Sequence, residues 1–144
     1  MPNLIKEFMT DQVMTIDIND TVLKAAETMT QDPKAHGYAV VLKQGRPTGI
    51  VTERDIISKV VAKRLDPDTT RIASIMSTPL ITIDPDADFL DAPKLMNEHN
   101  ISKLVVVKDD ILYGVITAKV VAAQCNTYVN QAVRDMIRWT SFGF

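Results

Sequence analysis

Residues 49–55 read Gly-Ile-Val-Thr-Glu-Arg-Asp, and residues 114–120 read Gly-Val-Ile-Thr-Ala-Lys-Val. Both stretches carry a glycine, two apolar residues and a threonine in the same order, which indicates that one is a copy of the other. An internal repeat of this kind determines the whole fold. The two stretches differ in their last residue, which is Asp55 in the first and Val120 in the second.

The repeat extends well upstream of these two stretches. Seven residues recur at one constant offset, and two single-residue deletions then shorten the offset at positions where loops are expected. The seven pairs are Met9/Met76, Thr15/Thr82, Ile16/Ile83, Asp17/Asp84, Leu23/Leu90, Ala25/Ala92 and Met29/Met96. Further along, Val40 and Val41 match Val106 and Val107. The chain therefore contains two tandem copies of one unit.

Each copy has the pattern of a βαββα unit, judged from alternating and helical hydrophobic periods and from turn residues. The first copy predicts a strand at 13–16, a helix from the N-cap Thr21 to Asp32-Pro33, hairpin strands at 38–42 and 49–52 around a turn at 44–47, and a second helix through Ile56 and Val61. The fold class is α/β (α+β), with tandem pseudo-symmetric repeats.

The second copy repeats this order with one irregularity. Its segments are an extended stretch at 81–83, a helix within 89–98, hairpin strands at 103–107 and 112–117 joined through Asp109-Asp110, and a last helix from about 118 to 139. Pro93 falls inside the first of these helices, and an interior proline costs about 3 kcal/mol unless it lies in the first turn. We therefore expect the regular helix to begin late, near Asp91, or to be kinked.

The predicted domain organisation follows from the repeat. Residues 1–66 form the first unit, residues 67–128 the second, and residues 129–144 a C-terminal helical extension with an aromatic tail. The linker at 65–70 is short and polar, so the two units are expected to pack against each other. A unit of this size has too small a core to be stable alone.

Composition narrows the classes of function. The chain has 144 residues, 46% of them hydrophobic, and a net charge of −2, so nucleic-acid binding is not expected. Cys125 is the single cysteine and fits a reducing cytoplasm as a small apolar residue of a helix. No apolar stretch approaches the roughly 18 residues of a membrane span, and the first residues lack a signal-peptide pattern.

The stretch at 52–55 has the chemistry of a ribose and phosphate site. Thr52 ends a strand and supplies a hydroxyl donor, Arg54 supplies a guanidinium for phosphate oxygens, and Asp55 supplies acceptors for two ribose hydroxyls. The alternative is a structural one, because a threonine N-cap followed by an acidic residue is common at helix starts. Under the nucleotide interpretation, Asp55→Ala lowers nucleotide affinity and leaves the melting temperature without ligand nearly unchanged.

The repeat resembles the CBS-domain family, in the paired arrangement called a Bateman module. The resemblance covers about residues 4–130 and is carried by Met9-Thr10, Met76-Ser77 and the stretches 13–16, 80–83, 99–107 and 49–55. It implies that adenosine nucleotides (AMP, ADP or ATP) or adenosyl ligands such as S-adenosylmethionine bind in clefts between the units. It also implies a homodimer and a regulated partner.

The resemblance further implies where the base lies. Val13, Met14 and Thr15 are expected on one side, and His36, Gly37 and Tyr38 on the other. A glycine allows backbone to approach a ligand closely. For Tyr38 a core position is an equal alternative, and His36 is otherwise an exposed loop residue.

The second copy departs from the pattern at the aspartate position. Val120 cannot accept a hydrogen bond from a ribose hydroxyl, whereas Thr117 and Lys119 keep the phosphate-side chemistry. We therefore expect one principal site around Asp55 and a second site that is weaker or empty. The residues of the second site are Thr82, Lys103, Thr117 and Lys119.

The end of the chain exceeds what one unit needs. An apolar stripe at helical spacing precedes three aromatic residues; these residues are Val129, Ala132, Val133, Met136, Ile137, Trp139, Phe142 and Phe144. The stripe packs back on its own unit, forms a homodimer contact, or contacts a different protein.

The expected function is that of a sensor that binds an adenosine nucleotide and signals to an unidentified partner in trans, in the cytoplasm. The alternative is an interaction or dimerisation module without ligand. No nucleophile–base pair, carboxylate pair or cluster of metal ligands is recognisable, so neither an enzyme nor a metal site nor a cofactor is expected.

Overall fold

The protein contains two three-stranded sheets, each part of one βαββα unit. The structure is a computed structural model that describes the backbone of residues 3–143 and the side chains of residues 3–127, 130, 133 and 134. In the first unit the elements are β1 (Thr15–Asp17), α1 (Val22–Gln31), β2 (Tyr38–Lys43), β3 (Arg46–Thr52) and α2 (Glu53–Ile56), which continues as a π-helical turn at Ile57–Val61.

The second unit repeats the order. Its elements are β4 (Thr82–Ile83), α3 (Asp91–His99), β5 (Lys103–Lys108), β6 (Ile111–Thr117) and α4 (Ala118–Gly143). In both sheets the first strand runs parallel to the second, and the second pairs with the third as an antiparallel hairpin. The predicted fold class and tandem repeat are confirmed.

The helix boundaries have local causes. The Thr21 hydroxyl accepts a hydrogen bond from the backbone N–H of Lys24 at 3.2 Å, so Thr21 is the N-cap of α1 as predicted. Pro93 occupies the third position of α3, where its missing N–H leaves no intrahelical bond unmade. The helix therefore begins at Asp91, which confirms the late start expected from the sequence.

The first hairpin turn is tighter than the sequence predicts, whereas the second is made by Asp109 and Asp110 as predicted. In the first hairpin the turn is confined to Gln44 and Gly45, both with positive φ, and Pro47 lies in β3 instead of in the turn. Pro47 is tolerated there because it pairs with Leu42 beside a register shift, where a ladder hydrogen bond is already interrupted. The first strand is also displaced, beginning at Thr15 and not at residue 13.

The two units exchange the segments that precede them. Ile5, Phe8 and Met9 pack into the core of the second unit, whereas Ile72 and Ile75 are buried in the core of the first. Short 3-10 helices, Ile5–Glu7 and Ile72–Ser74, carry these contacts. The predicted boundary at residue 66 therefore separates the two repeats along the sequence only. In the structure, residues from each side of it pack into the core of the other unit.

Backbone hydrogen bonds complete each exchange. Thr10 and Val115 bond in both directions at 2.9 Å, which adds the N-terminal segment to β6. Ser77 and Ile50 form the equivalent pair on β3, at 2.8 and 3.2 Å. A third apolar cluster lies between the units and includes Tyr38, Val40, Val105 and Val115, all buried. The units are therefore packed together, as the short linker predicts.

Helix α4 extends to Gly143, four residues beyond the predicted end at Trp139. In its first part, half-buried Cys125 packs against the core of the second unit, as expected of a small apolar residue. Within the predicted C-terminal stripe only Val133 has a described side chain, and it is 47% exposed. The side chains of Val129, Ala132, Met136, Ile137, Trp139, Phe142 and Phe144 lie outside the described residues. Among the described helices, none combines the length and apolarity needed to cross a bilayer.

Candidate functional site

A cleft lies between the units, where the first residues of β2 and β5 face each other. Its volume is about 510 Å³, within the range of about 300–1,000 Å³ that is usual for small-molecule sites. Both units contribute its walls. The lining residues are Thr10, His36, Tyr38, Ser102, Lys103, Thr117, Ala118 and Lys119.

The lining of this cleft is rich in cations and hydroxyls. Lys103, Lys119 and His36 bring two ammonium groups and an imidazole to it, and none of its lining residues is acidic. The Lys103 ammonium stands 5.3 Å from the centroid of the Tyr38 ring, a cation–π arrangement. Burial raises the pKa of the Tyr38 phenol, which therefore stays a neutral hydrogen-bond donor at physiological pH. The charge of the cleft lining suits an anion.

The Thr52–Asp55 stretch forms a reciprocal capping box at the start of α2. Asp55 Oδ2 accepts hydrogen bonds from the Thr52 backbone N–H at 2.9 Å and from the Thr52 hydroxyl at 3.0 Å, and the Asp55 N–H donates to Thr52 Oγ1 at 3.1 Å. The other oxygen, Oδ1, pairs with Lys59 Nζ at 3.1 Å. Both carboxylate oxygens are thus held in place, with the side chain 13% exposed.

These contacts change what Asp55 substitutions report. We revise the expectation that Asp55→Ala leaves the melting temperature nearly unchanged, because alanine removes the carboxylate half of the capping box and the ion pair with Lys59, although the backbone N–H of residue 55 still donates to Thr52 Oγ1. Loss of a hydrogen bond to a charged group typically costs about 1.5–3 kcal/mol. Asp55→Asn keeps an oxygen for the Thr52 N–H and is the more informative variant.

The equivalent position in the second unit is much simpler. Thr117 Oγ1 accepts the Val120 N–H at 3.4 Å, and Val120 offers no carboxylate in return. Ala118 stands where the first unit has Glu53, and its N–H donates to the carbonyl of Ser102 at 2.8 Å. The Thr117 end therefore lacks both acidic side chains of its counterpart.

The structure brings together only part of the predicted set. His36 and Tyr38 join Lys103, Thr117 and Lys119 in the cleft. By contrast, Thr15 lines a separate groove of about 360 Å³ beside α1, and Thr82 lines another of about 420 Å³ beside α3.

Three further residues predicted to contact the base, Met14, Val13 and Gly37, do not line the cleft. Met14 is 2% exposed in the first core, and its carbonyl accepts the Val40 N–H, so its side chain is not available to a ligand in the cleft. Val13 packs against the cluster between the units. Gly37 has a φ of +84°, and a Cβ there would stand 3.4 Å from the carboxyl carbon of Glu53. The left-handed backbone is what favours glycine at position 37, because a Cβ there would make only an ordinary van der Waals contact with Glu53.

Sequence reasoning missed three residues of this region, namely Thr10, Ser102 and Glu53. Thr10 reaches the cleft only because the N-terminal segment crosses to the second unit. The alignment of Met9-Thr10 with Met76-Ser77 was a usable signal, because it marked this segment as part of the repeat. Ser102 could have been found as the repeat equivalent of Gly37, since Tyr38 and Lys103 pair with the equivalent threonines.

A smaller cleft of about 150 Å³ is related to the first by the repeat. Ser77 takes the place of Thr10, Ile101 that of His36 and Lys103 that of Tyr38. Its remaining lining is largely apolar. Lys103 therefore borders both clefts, and the cationic lining is concentrated at the Thr117 side. Among the described residues, no three His, Cys, Asp or Glu side chains come together as metal ligands.

Comparison with known proteins identifies the class. The family model of the CBS domain matches residues 5–62 and again 72–124, the two units that the structure shows. The chain belongs to the CBS-domain family and contains a pair of these domains. This confirms the resemblance seen in the sequence, and CBS pairs are generally regulatory modules and not catalytic ones.

Relatives support this assignment over different shares of their length. The CBS domain-containing protein YhcV of Bacillus subtilis is 35% identical over 112 residues, 78% of each chain. An uncharacterized protein of Methanocaldococcus jannaschii is 36% identical over 125 residues, and this chain spans only 30% of its length. The crystal structure of the hexameric CBS-CP12 protein from bloom-forming cyanobacteria matches with a TM-score of 0.75 at 31% identity, covering 85% of this chain and 67% of that one.

Proposed function

We propose that this CBS pair is a sensor that binds an adenosine nucleotide (AMP, ADP or ATP) between its two units and signals to a partner protein in trans. The observation that carries the proposal is the cleft of about 510 Å³, because residues of both units line it with two lysines, a histidine and four hydroxyl groups. Charge-assisted hydrogen bonds from such groups to phosphate are worth about 1.5–3 kcal/mol each. S-adenosylmethionine carries the adenosyl group without phosphate, so its affinity is compared with the affinities of the three nucleotides.

Asp55 does not line this cleft and supports a sugar site at the other end of the pair. Its two oxygens are fixed by Thr52 and Lys59 and its side chain is 13% exposed, so the carboxylate is preorganised and little side-chain entropy remains to be lost. A ribose diol can replace the Lys59 ammonium at Oδ1 while the capping bonds at Oδ2 stay in place. We propose Asp55 as the residue of the principal sugar site.

Signalling follows from the exchange of segments. Thr10 lines the cleft and is hydrogen-bonded to β6, and the same segment is tied to the second unit by Lys6, whose ammonium lies 3.0 Å from the Asp86 carboxylate. A ligand that contacts both units stabilises the arrangement of the N-terminal segment that binds it more tightly. The difference in affinity increases the population of that arrangement. A partner that contacts the N-terminal segment can read that shift.

A thermal-shift screen tests the proposal. We expect AMP, ADP or ATP to raise the melting temperature, because a ligand at a hundred times its Kd adds about 2.7 kcal/mol of stability. In Asp55→Asn the nucleotide affinity of the Asp55 end should fall about ten- to a hundredfold, because the charged acceptor of the ribose hydroxyls is lost there, whereas Asp55 does not line the cleft of about 510 Å³. Asp68→Asn, an exposed linker carboxylate, is the matched control and should bind as the wild type does.

The alternative function is an interaction or dimerisation module without ligand. Nucleotide sensing is refuted if neither AMP, ADP, ATP nor S-adenosylmethionine changes the melting temperature at millimolar concentration. The alternative function is then favoured. Unchanged nucleotide affinity in Asp55→Asn would contradict only the assignment of the sugar site.

Self-association is the second part of the proposal, with a homodimer as the expected form. It is supported by the hexameric state named for the CBS-CP12 relative and by the exposed Val133 on α4. Truncation after Tyr128 removes the predicted C-terminal stripe, so we expect sedimentation velocity to show a smaller species than the full chain gives. Identical sedimentation of both forms would show that the C-terminal extension is not the contact.

A further inference from the structure

We propose that the cleft at Thr117 selects its nucleotide by phosphate charge and is indifferent to the 2′-hydroxyl of the sugar, so that it binds nucleoside di- and triphosphates. This inference rests on the proposed function, which it deepens by assigning different selectivities to the two ends of the pair. The Asp55 end is selective for the ribose hydroxyls, and the Thr117 end is selective for the phosphate charge.

The first argument is charge. The cleft is lined by Lys103, Lys119 and His36 and by no acidic residue. The equivalent stretch of the first unit has Glu53 and Asp55 around Arg54, whereas the second has Ala118 and Val120 around Lys119. Coulomb attraction to each added phosphate charge is therefore opposed by carboxylates at one end only.

The second argument is the state of the two threonine hydroxyls. The Thr52 hydroxyl donates its proton to Asp55 Oδ2 at 3.0 Å, so this proton is not available to a ligand. Thr117 Oγ1 only accepts, from the Val120 N–H at 3.4 Å, and no described residue accepts a bond from its hydroxyl. The Thr117 proton is therefore free to be donated to a phosphate oxygen.

The third argument is space. Glu53 extends its side chain over Gly37, whereas Ala118 ends at Cβ, and the cleft on the Ala118 side has about 510 Å³ against about 150 Å³ for its repeat counterpart. A volume of this size admits a whole nucleotide. The same substitutions remove the sugar acceptor, because Val120 cannot accept a hydrogen bond from a 2′-hydroxyl.

An NMR titration of the full chain in magnesium-free buffer resolves the two ends. Backbone amide shifts of Ser102, Thr117 and Lys119 report the cleft, and those of Thr52 and Asp55 report the other end. At the cleft we expect the Kd values of ATP and 2′-deoxy-ATP to agree within about twofold and AMP to bind about tenfold or more weakly.

Matched variants locate the effect. Lys119→Ala should weaken ATP binding at the cleft about tenfold or more, because one charge-assisted bond is lost. Lys94→Ala removes the same charge from the same unit but lies in the separate groove beside α3, and should leave the Kd unchanged. Val120→Asp restores the residue of the first unit and should introduce about tenfold preference for ATP over 2′-deoxy-ATP.

The outcomes separate the inference from the proposed function. Tenfold preference of the wild-type cleft for ATP over 2′-deoxy-ATP, equal binding of AMP and ATP, or no effect of Lys119→Ala would each overturn the inference. If ATP shifts only the amides around Asp55, the inference fails and the proposed function stands. If no nucleotide shifts either set of amides, both fail.

Discussion

Gly114→Ala is expected to destabilise the protein by about 3 kcal/mol, at the upper end of the usual cost of overpacking. Gly114 lies in β6 where the N-terminal segment crosses to the second unit, and a Cβ there would overlap the carbonyl oxygen of Thr10 and stand 3.1 Å from Sδ of Met9. The carbonyl cannot move away without breaking its hydrogen bond with the Val115 N–H. Urea unfolding of the variant measures the loss.

Two other glycines serve as controls for Gly114. Gly49 is its repeat equivalent, but one of its two nearest atoms is the flexible Met76 sulfur at 2.9 Å, so Gly49→Ala should cost less. Gly45 has nothing within 4 Å of an added Cβ and a φ of +79°, so Gly45→Ala should cost only the left-handed strain of about 1–2 kcal/mol. Equal losses in all three variants would contradict a specific clash at Gly114.

Phe89→Ala is expected to lower the free energy of unfolding by about 3–5 kcal/mol, a large part of the 5–15 kcal/mol that is typical of a domain. Phe89 is fully buried in the second core, and its ring centroid lies 4.8 Å from that of Phe8 in the exchanged segment. The substitution leaves a cavity and also removes an aromatic contact that joins the two halves of the repeat. Urea unfolding monitored by circular dichroism gives the value.

Phe89→Leu is the conservative control, and it should cost less than about 1.5 kcal/mol because it keeps most of the buried volume. Phe8→Ala should fall between the two variants, because Phe8 is only half-buried. A loss below 1 kcal/mol in Phe89→Ala would show that the exchanged segment does not depend on this core.

The fold could be predicted from sequence because its signals are local or periodic. The repeat, the N-cap at Thr21 and the late helix start at Pro93 depend on residues close together in the chain. The crossing of Thr10 to the second unit depends on contacts between distant segments, and no local pattern specifies such contacts. Pro47 was misplaced because a proline next to glycine is typical of a turn, whereas here a bulge accommodates it in a strand.

The site was predicted less completely, for two physical reasons. Successive residues of a strand point to opposite faces, so Met14 and Thr15 could not both face one ligand, and the alternation alone would have shown this. The engagement of Asp55 by Lys59 and Thr52 and the openness beside Ala118 are properties of side-chain packing. The residue types of the motif do not determine them.

The exchange of segments has a consequence for the history of such chains. In a single repeat, the N-terminal segment that precedes β1 has no second core to pack into. The core of that repeat also lacks the segment that fills it in the pair. A single copy fills its core and buries its N-terminal segment only by exchanging segments with a second molecule. A duplicated chain makes both contacts within itself. The pair, and not the single repeat, is therefore the smallest unit in which both cores are filled, and each crossing segment passes close to one glycine, the first segment to Gly114 and the second to Gly49.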